Sequence, residues 1–91
     1  MRKEHKVKSW RHFYEAIYEG KKTHDLRLND RDYNVGDILV LQEYDNIKGE
    51  YTGSQLKAEI TYMTDNRIPC AFSSAVLPKE YCILSIRRLN I

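Results

Sequence analysis

Apolar positions in the first part of the chain recur at helical spacing. Trp10, Phe13 and Ile17 stand three and four residues apart, with Tyr14 and Ala16 alongside, and form one apolar stripe. Ser9 ahead of the stripe suits an N-cap, because its hydroxyl can accept an orphan backbone N–H of the first turn. Gly20 behind it offers the left-handed residue on which helices end. The pattern predicts a helix over about residues 10–19. A short strand at Lys6-Val7-Lys8, with Val7 facing inward, precedes it.

The period then changes from helical to alternating. From Thr23 to Leu28, His24, Leu26 and Leu28 share one face and Thr23, Asp25 and Arg27 the other. The leucine face is expected to pack inward, with His24 partly buried beside it. Residues 29–37 are turn-rich, and Val35-Gly36-Asp37 suits a tight entry into the next strand. Ile38 to Tyr44 is apolar enough for a central strand. Asp45-Asn46-Ile47-Lys48-Gly49 reads as a hairpin connection, with Gly53 as a further break. Leu56 to Thr64 sets Ala58, Ile60 and Tyr62 against Lys57, Glu59 and Thr61. After a polar loop over residues 65–79, Tyr81 to Leu89 turns Cys82, Leu84 and Ile86 one way.

One early helix and five or six strands with short connections bury themselves best as a small mixed β-barrel of the α+β class, the helix covering one opening. Its expected core joins Trp10, Phe13 and Ile17 to Leu26, Leu28, Val40, Ile60, Leu84 and Ile86. The 91 residues make one domain, spanning residues 1–91, with a small core. No apolar run approaches the roughly 20 residues of a membrane helix. The basic start Met1-Arg2-Lys3 has no apolar stretch behind it, so a soluble, cytoplasmic chain is expected.

Charge adds a little. The net charge is only +2, but residues 1–31 hold nine Lys/Arg against five Asp/Glu, while residues 32–45 hold four acids and no base. A basic patch from the first third is therefore expected. Cys70 and Cys82 are too few and too far apart for a metal knuckle or a disulfide scaffold, and Cys82 reads as a small hydrophobe. His5, His12 and His24 have no carboxylate pair at ligand spacing, so no metal and no cofactor is expected.

The densest polar cluster is Gly20-Lys21-Lys22-Thr23-His24-Asp25-Leu26-Arg27. Asp25 and Arg27 share a strand face beside a lysine-bearing turn. Such a face suits an anionic or hydrogen-bonding ligand, since Arg offers a planar fork and Lys a mobile point charge. Arg31 and Tyr33 follow in the adjoining loop. Tyr33, Tyr44, Tyr51 and Tyr62 are candidates for stacking on bases.

The cluster resembles the G-x-K-x-x-E-x-R signature of ASCH domains, a branch of the PUA-like superfamily. Gly20, Lys22 and Arg27 match, and Asp25 stands where that family has glutamate. With Asn29-Asp30-Arg31-Asp32-Tyr33, Val35-Gly36-Asp37-Ile38-Leu39, Glu50-Tyr51-Thr52-Gly53 and Tyr81-Cys82-Ile83-Leu84-Ser85-Ile86, the chain resembles the small bacterial and phage family called domain of unknown function 3850. The resemblance implies a PUA-like barrel with a cleft beside the helix, faced by the signature residues Lys22, Asp25 and Arg27; Arg31 and Tyr33 of the adjoining loop complete the expected ligand-binding set. It also implies an RNA or nucleotide ligand. Some ASCH relatives are small hydrolases that act on acylated cytidines or cleave RNA, and the amidohydrolases among them use a lysine and a threonine of the signature with a glutamate from elsewhere in the fold. Lys22 matches the lysine, but Asp25 occupies the threonine's place. Lys22 and Asp25 are thus the catalytic candidates if the chain is a nucleoside amidohydrolase or ribonuclease, with binding expected ahead of catalysis. A protein-interaction module is the remaining class.

Overall fold

The computed structural model describes residues 2–67 and 76–89, and Cys70 lies outside them. The first strand, β1 (Glu4–Trp10), turns His5, Val7 and Ser9 inward and Glu4, Lys6, Lys8 and Trp10 outward. It runs longer than the three residues expected. Helix α1 (Arg11–Tyr18) begins directly at its end. Trp10, not Ser9, is the N-cap residue, and no side chain caps the first turn, because Ser9 is already buried in the strand. The helix ends as its glycine predicts. Lys21 N–H donates to Ala16 O and Gly20 N–H to Ile17 O, with Gly20 at φ +80°, which is the Schellman arrangement.

The remaining strands are β2 (His24–Leu28), β3 (Ile38–Asp45), β4 (Glu50–Asp65) and β5 (Tyr81–Arg88). They form one sheet in the order β1-β3-β4-β5-β2. Only the β1–β3 pair is parallel; the other three are antiparallel. A shift of pairing near Gln42/Tyr44 leaves Gly53, at φ +95°, within a bulge on β4, and a second shift lies between Ile60 and Tyr62. Bulges bend and coil a sheet, and this one curls into a half-barrel. The two edges, β1 and β2, therefore face one another across a seam. Among the described residues a side chain crosses it: Arg27 Nη2 donates to Lys8 O at 2.9 Å.

The core inside the curl joins Val7, Tyr14, Ile17, Tyr33, Leu39, Leu41, Leu56, Ala58, Ile60, Cys82, Leu84 and Ile86. Ile17, Ile60, Leu84 and Ile86 stand where the sequence predicts, and Val40 is buried too. Trp10, Phe13, Leu26 and Leu28 do not: all four are about half exposed. The helix packs through Tyr14 and Ile17, an overlapping 3–4 stripe, so Phe13 is left on its margin. In β2 the alternation holds but its direction reverses. Asp25 and, in part, Arg27 turn inward, while His24, Leu26 and Leu28 turn out. Phe13→Ala is thus expected to cost below about 1 kcal/mol in a chemical melt, whereas Ile17→Ala should cost about 2–5 kcal/mol, as for other emptied aliphatic core sites.

Beneath the β1–β3 pair lies a buried polar knot. His5 Nε2 donates to Asp37 Oδ2 at 2.9 Å, and Asp37 also accepts the backbone N–H groups of Lys3 and Asn34. Burial alone would push the Asp37 carboxyl up. The His5 ring and the two backbone donors outweigh burial and hold it below the usual carboxylate value. Asp32, at φ +53°, bends the chain just before Tyr33 enters the core, where the His5 ring meets it edge-on at 4.8 Å. Cys82 is fully buried, and burial with the Asp65 and Asp25 carboxylates pushes its thiol up to about 11, so it packs as a small hydrophobe. Among the described residues, no helix is long and apolar enough to cross a membrane.

Candidate functional site: a cleft at the barrel seam

The two sheet edges do not close on each other, and a cleft of about 380 Å³ opens between them. That volume falls within the roughly 300–1,000 Å³ of small-molecule sites. From β1 come Lys8, Ser9 and Trp10, and from the helix margin Phe13. The edge strand β2 supplies Asp25 to Leu28, the following loop Asp30, Arg31 and Tyr33, and β5 supplies Tyr81. The four apolar side chains missing from the core are all here. All four stay about half exposed and converge on this one concavity. Their position explains why the core does without them.

Asp25 is the charged centre, only 8% exposed. Its Oδ2 accepts Arg27 Nη1 at 2.7 Å, and Lys22 Nζ stands 3.7 Å from Oδ1. Each carboxylate oxygen thus has its own cation, and a buried charge persists only when so paired. Lys22, in the turn before β2, donates to His24 O, and its ammonium lies 5.6 Å from the Phe13 ring centroid. It stands behind the cleft rather than among the groups that line it. Arg27 uses two of its five N–H donors on Asp25 and Lys8 O. The rest remain for Tyr33 and for a ligand.

Tyr33 closes the floor of the cleft. Burial pushes its phenol up, partly opposed by the Arg27 guanidinium, so the hydroxyl stays protonated at neutral pH. Arg31 is exposed at the mouth, alongside Lys8. The structure therefore brings Asp25, Arg27, Arg31 and Tyr33 together in one cleft and sets Lys22 against its Asp25 wall. Reading the sequence alone misses Lys8, Trp10, Phe13 and Tyr81. The available signal was the overlap of two helix stripes that share Ile17 (one with Phe13, one with Tyr14), which left one aromatic side chain without a core partner. Of the other stacking candidates, Tyr44 and Tyr51 lie on the outer face of the sheet and Tyr62 is exposed on β4.

Among the described residues, no group of three or more His, Cys, Asp or Glu is gathered so as to hold a metal ion. The chemistry on offer is hydrogen bonding by a buried carboxylate and a fixed guanidinium, with ring faces and cations around them.

Two comparisons bear on this site. The chain is 40% identical over 65 residues to a protein of Escherichia phage P2 described as an uncharacterized 12.9 kDa protein in the GpA 3' region. The match covers 71% of this chain and 58% of the phage protein, so the chain spans under two thirds of that relative's length. Residues 4–86, which hold every strand but the last two residues of β5 and every residue lining the cleft, match the family described as domain of unknown function (DUF3850). The chain belongs to the DUF3850 family.

Proposed function

We propose that this protein binds single-stranded RNA or a nucleotide in the seam cleft, and that its half-barrel is of the PUA-like, ASCH type. A mixed sheet whose early helix stands beside an open seam supports the fold reading. The ligand reading is carried by one observation: half-exposed Trp10 and Phe13 converge with Lys8, Arg27, Arg31 and buried Asp25 on one cleft. Rings stack on any base, cations meet the phosphate, and a carboxylate accepts only from a donor such as a base amino group. A purely apolar partner would have no use for Asp25 and Arg27 on the wall.

Trp10 is the sole tryptophan of the chain, so its fluorescence reports the cleft directly. Adding nucleotide should quench it, and Trp10→Phe should remove the signal while binding, read by calorimetry, persists. Arg31→Ala should lower the slope of log affinity against log salt by about one phosphate contact. Asp25→Asn should leave that slope nearly intact and change which base is preferred. An affinity indifferent to salt would instead favour an apolar protein interface.

The Lys22–Asp25 pair is the only acid–base candidate from the signature. Asp25 is committed to Arg27 at 2.7 Å, and no hydroxyl stands in its place. Incubation with acylated cytidine is therefore expected to release no acetate. Release that Lys22→Ala abolishes would make the protein a hydrolase with a Lys–Asp site.

A further inference from the structure

The geometry points to an aromatic row on the outer face of β1, β3 and β4 that carries a single-stranded nucleic acid outward from the cleft. This deepens the binding reading above and rests on it. The row follows from register. Trp10 pairs with Tyr44 across the parallel β1–β3 ladder, and Tyr44 pairs with Tyr51 across β3–β4. Directly paired residues project from the same face, and strands lie about 4.8 Å apart, so three rings cover about 10 Å in one line. Its first member, Trp10, already lines the cleft. Its last, Tyr51, is 53% exposed and meets Tyr44 edge-on at 5.1 Å between centroids.

Cations complete the surface. Lys8 lines the cleft, and its ammonium sits 4.1 Å from the Tyr44 ring centroid and 5.9 Å from that of Tyr51. Lys8 thus sits against Tyr44 and reaches toward Tyr51, whose ring stays half exposed beside a cation. Lys6 projects from the same face two residues earlier. Among the described residues, neither Lys6 nor Lys8 has a carboxylate oxygen within 4.0 Å. The acids nearby are engaged elsewhere: Glu4 pairs with Lys57, and Glu43 and Asp45 meet Arg11. A row of rings crossing three strands, with lysines beside it that have no carboxylate partner among the described residues, continues the cleft as a sequence-tolerant single-strand track requires. An apolar protein partner would not need the lysines, and a second copy of this basic face would repel them.

Uridine monophosphate and an oligouridylate about eight nucleotides long, within the roughly 4–16 nucleotides that small barrels cover, separate track from cleft. The oligomer should bind the whole protein more than tenfold tighter than the mononucleotide. Tyr51→Ala should remove about tenfold of oligomer affinity and leave mononucleotide quenching of Trp10 unchanged; Tyr51→Phe should keep both. Persistence of the Tyr51 effect with oligodeoxythymidylate assigns recognition to bases and phosphates, and its confinement to RNA adds the 2′-hydroxyl; either supports the track. Equal affinity for monomer and oligomer, with Trp10 still quenched, overturns the track and leaves the cleft reading standing. No quenching and no binding by either overturns both.

Discussion

Asp37→Ala is expected to destabilise the fold by roughly 3–5 kcal/mol, the usual consequence of breaking a buried, hydrogen-bonded charge. In a domain of 91 residues that is a large share of the total stability. Asp37 is 3% exposed and is the single acceptor for three donors: the backbone N–H groups of Lys3 and Asn34 and Nε2 of His5. Its backbone also takes part, since Ile60 N–H donates to Asp37 O at 2.9 Å. One residue therefore fastens the start of β1, the turn before β3 and the middle of β4. Alanine would take the acceptor from all three donors at once, and it would leave His5 Nε2 buried without its partner. Asp37→Asn keeps one acceptor and should cost less, which separates the hydrogen bonds from the charge.

The same carboxyl sets an acid limit. Its folded value is held below the ordinary carboxylate value of 3.8, so the unfolded chain takes up the proton first. The stability it confers is fully present above about pH 4, and it is lost as pH falls through the depressed folded value. Wild-type melts between neutrality and pH 3 should show this loss, and Asp37→Asn should flatten it. An Asp37→Ala melt within about 1 kcal/mol of wild type would show that the knot is not a fastening point.

Alternation and helical period made most of the elements legible, but not which way each one faces. Residues 23–28 show why. Period two separates Asp25 and Arg27 from Leu26 and Leu28 with no ambiguity, yet hydrophobicity alone directs the leucines inward. The reverse holds because Asp25 finds a cation for each oxygen, and because β2 is an edge strand whose outer leucines help line a cleft. Neither fact is local to those residues. Phe13 and Tyr14 pose the same problem on the helix, where both fit a stripe through Ile17 and only the position of the sheet decides. The His5–Asp37 contact spans 32 residues and has no sequence period at all. The ordered motif string did name Asp25, Arg27, Arg31 and Tyr33, because it encodes that three-dimensional neighbourhood indirectly. It could not name Lys8, Trp10 or Tyr81, which reach the cleft only when the curled sheet brings β1 and β5 to β2.

Arg27→Ala is expected to have the second-largest effect, again roughly 3–5 kcal/mol, since it removes one partner of a buried ion pair. The Asp25 and Arg27 side chains are only 11% and 20% exposed, so solvent screens the pair weakly. Two losses coincide. Asp25 is left with Lys22 at 3.7 Å as its nearest cation, and β2 loses its only described side-chain tie to the β1 backbone at Lys8 O. Arg27→Lys should recover little, because a single ammonium cannot donate to Asp25 Oδ2 and Lys8 O in the fixed geometry of a guanidinium fork. The double variant Asp25→Ala/Arg27→Ala separates the two losses. With neither Asp25 nor Arg27 left facing the gap of the other, it should be destabilised by less than the sum of the single variants, the difference measuring the pair. Whatever cost the double variant retains reports the seam. Strict additivity would show that Asp25 and Arg27 act independently, and that the cleft is held open by the sheet alone.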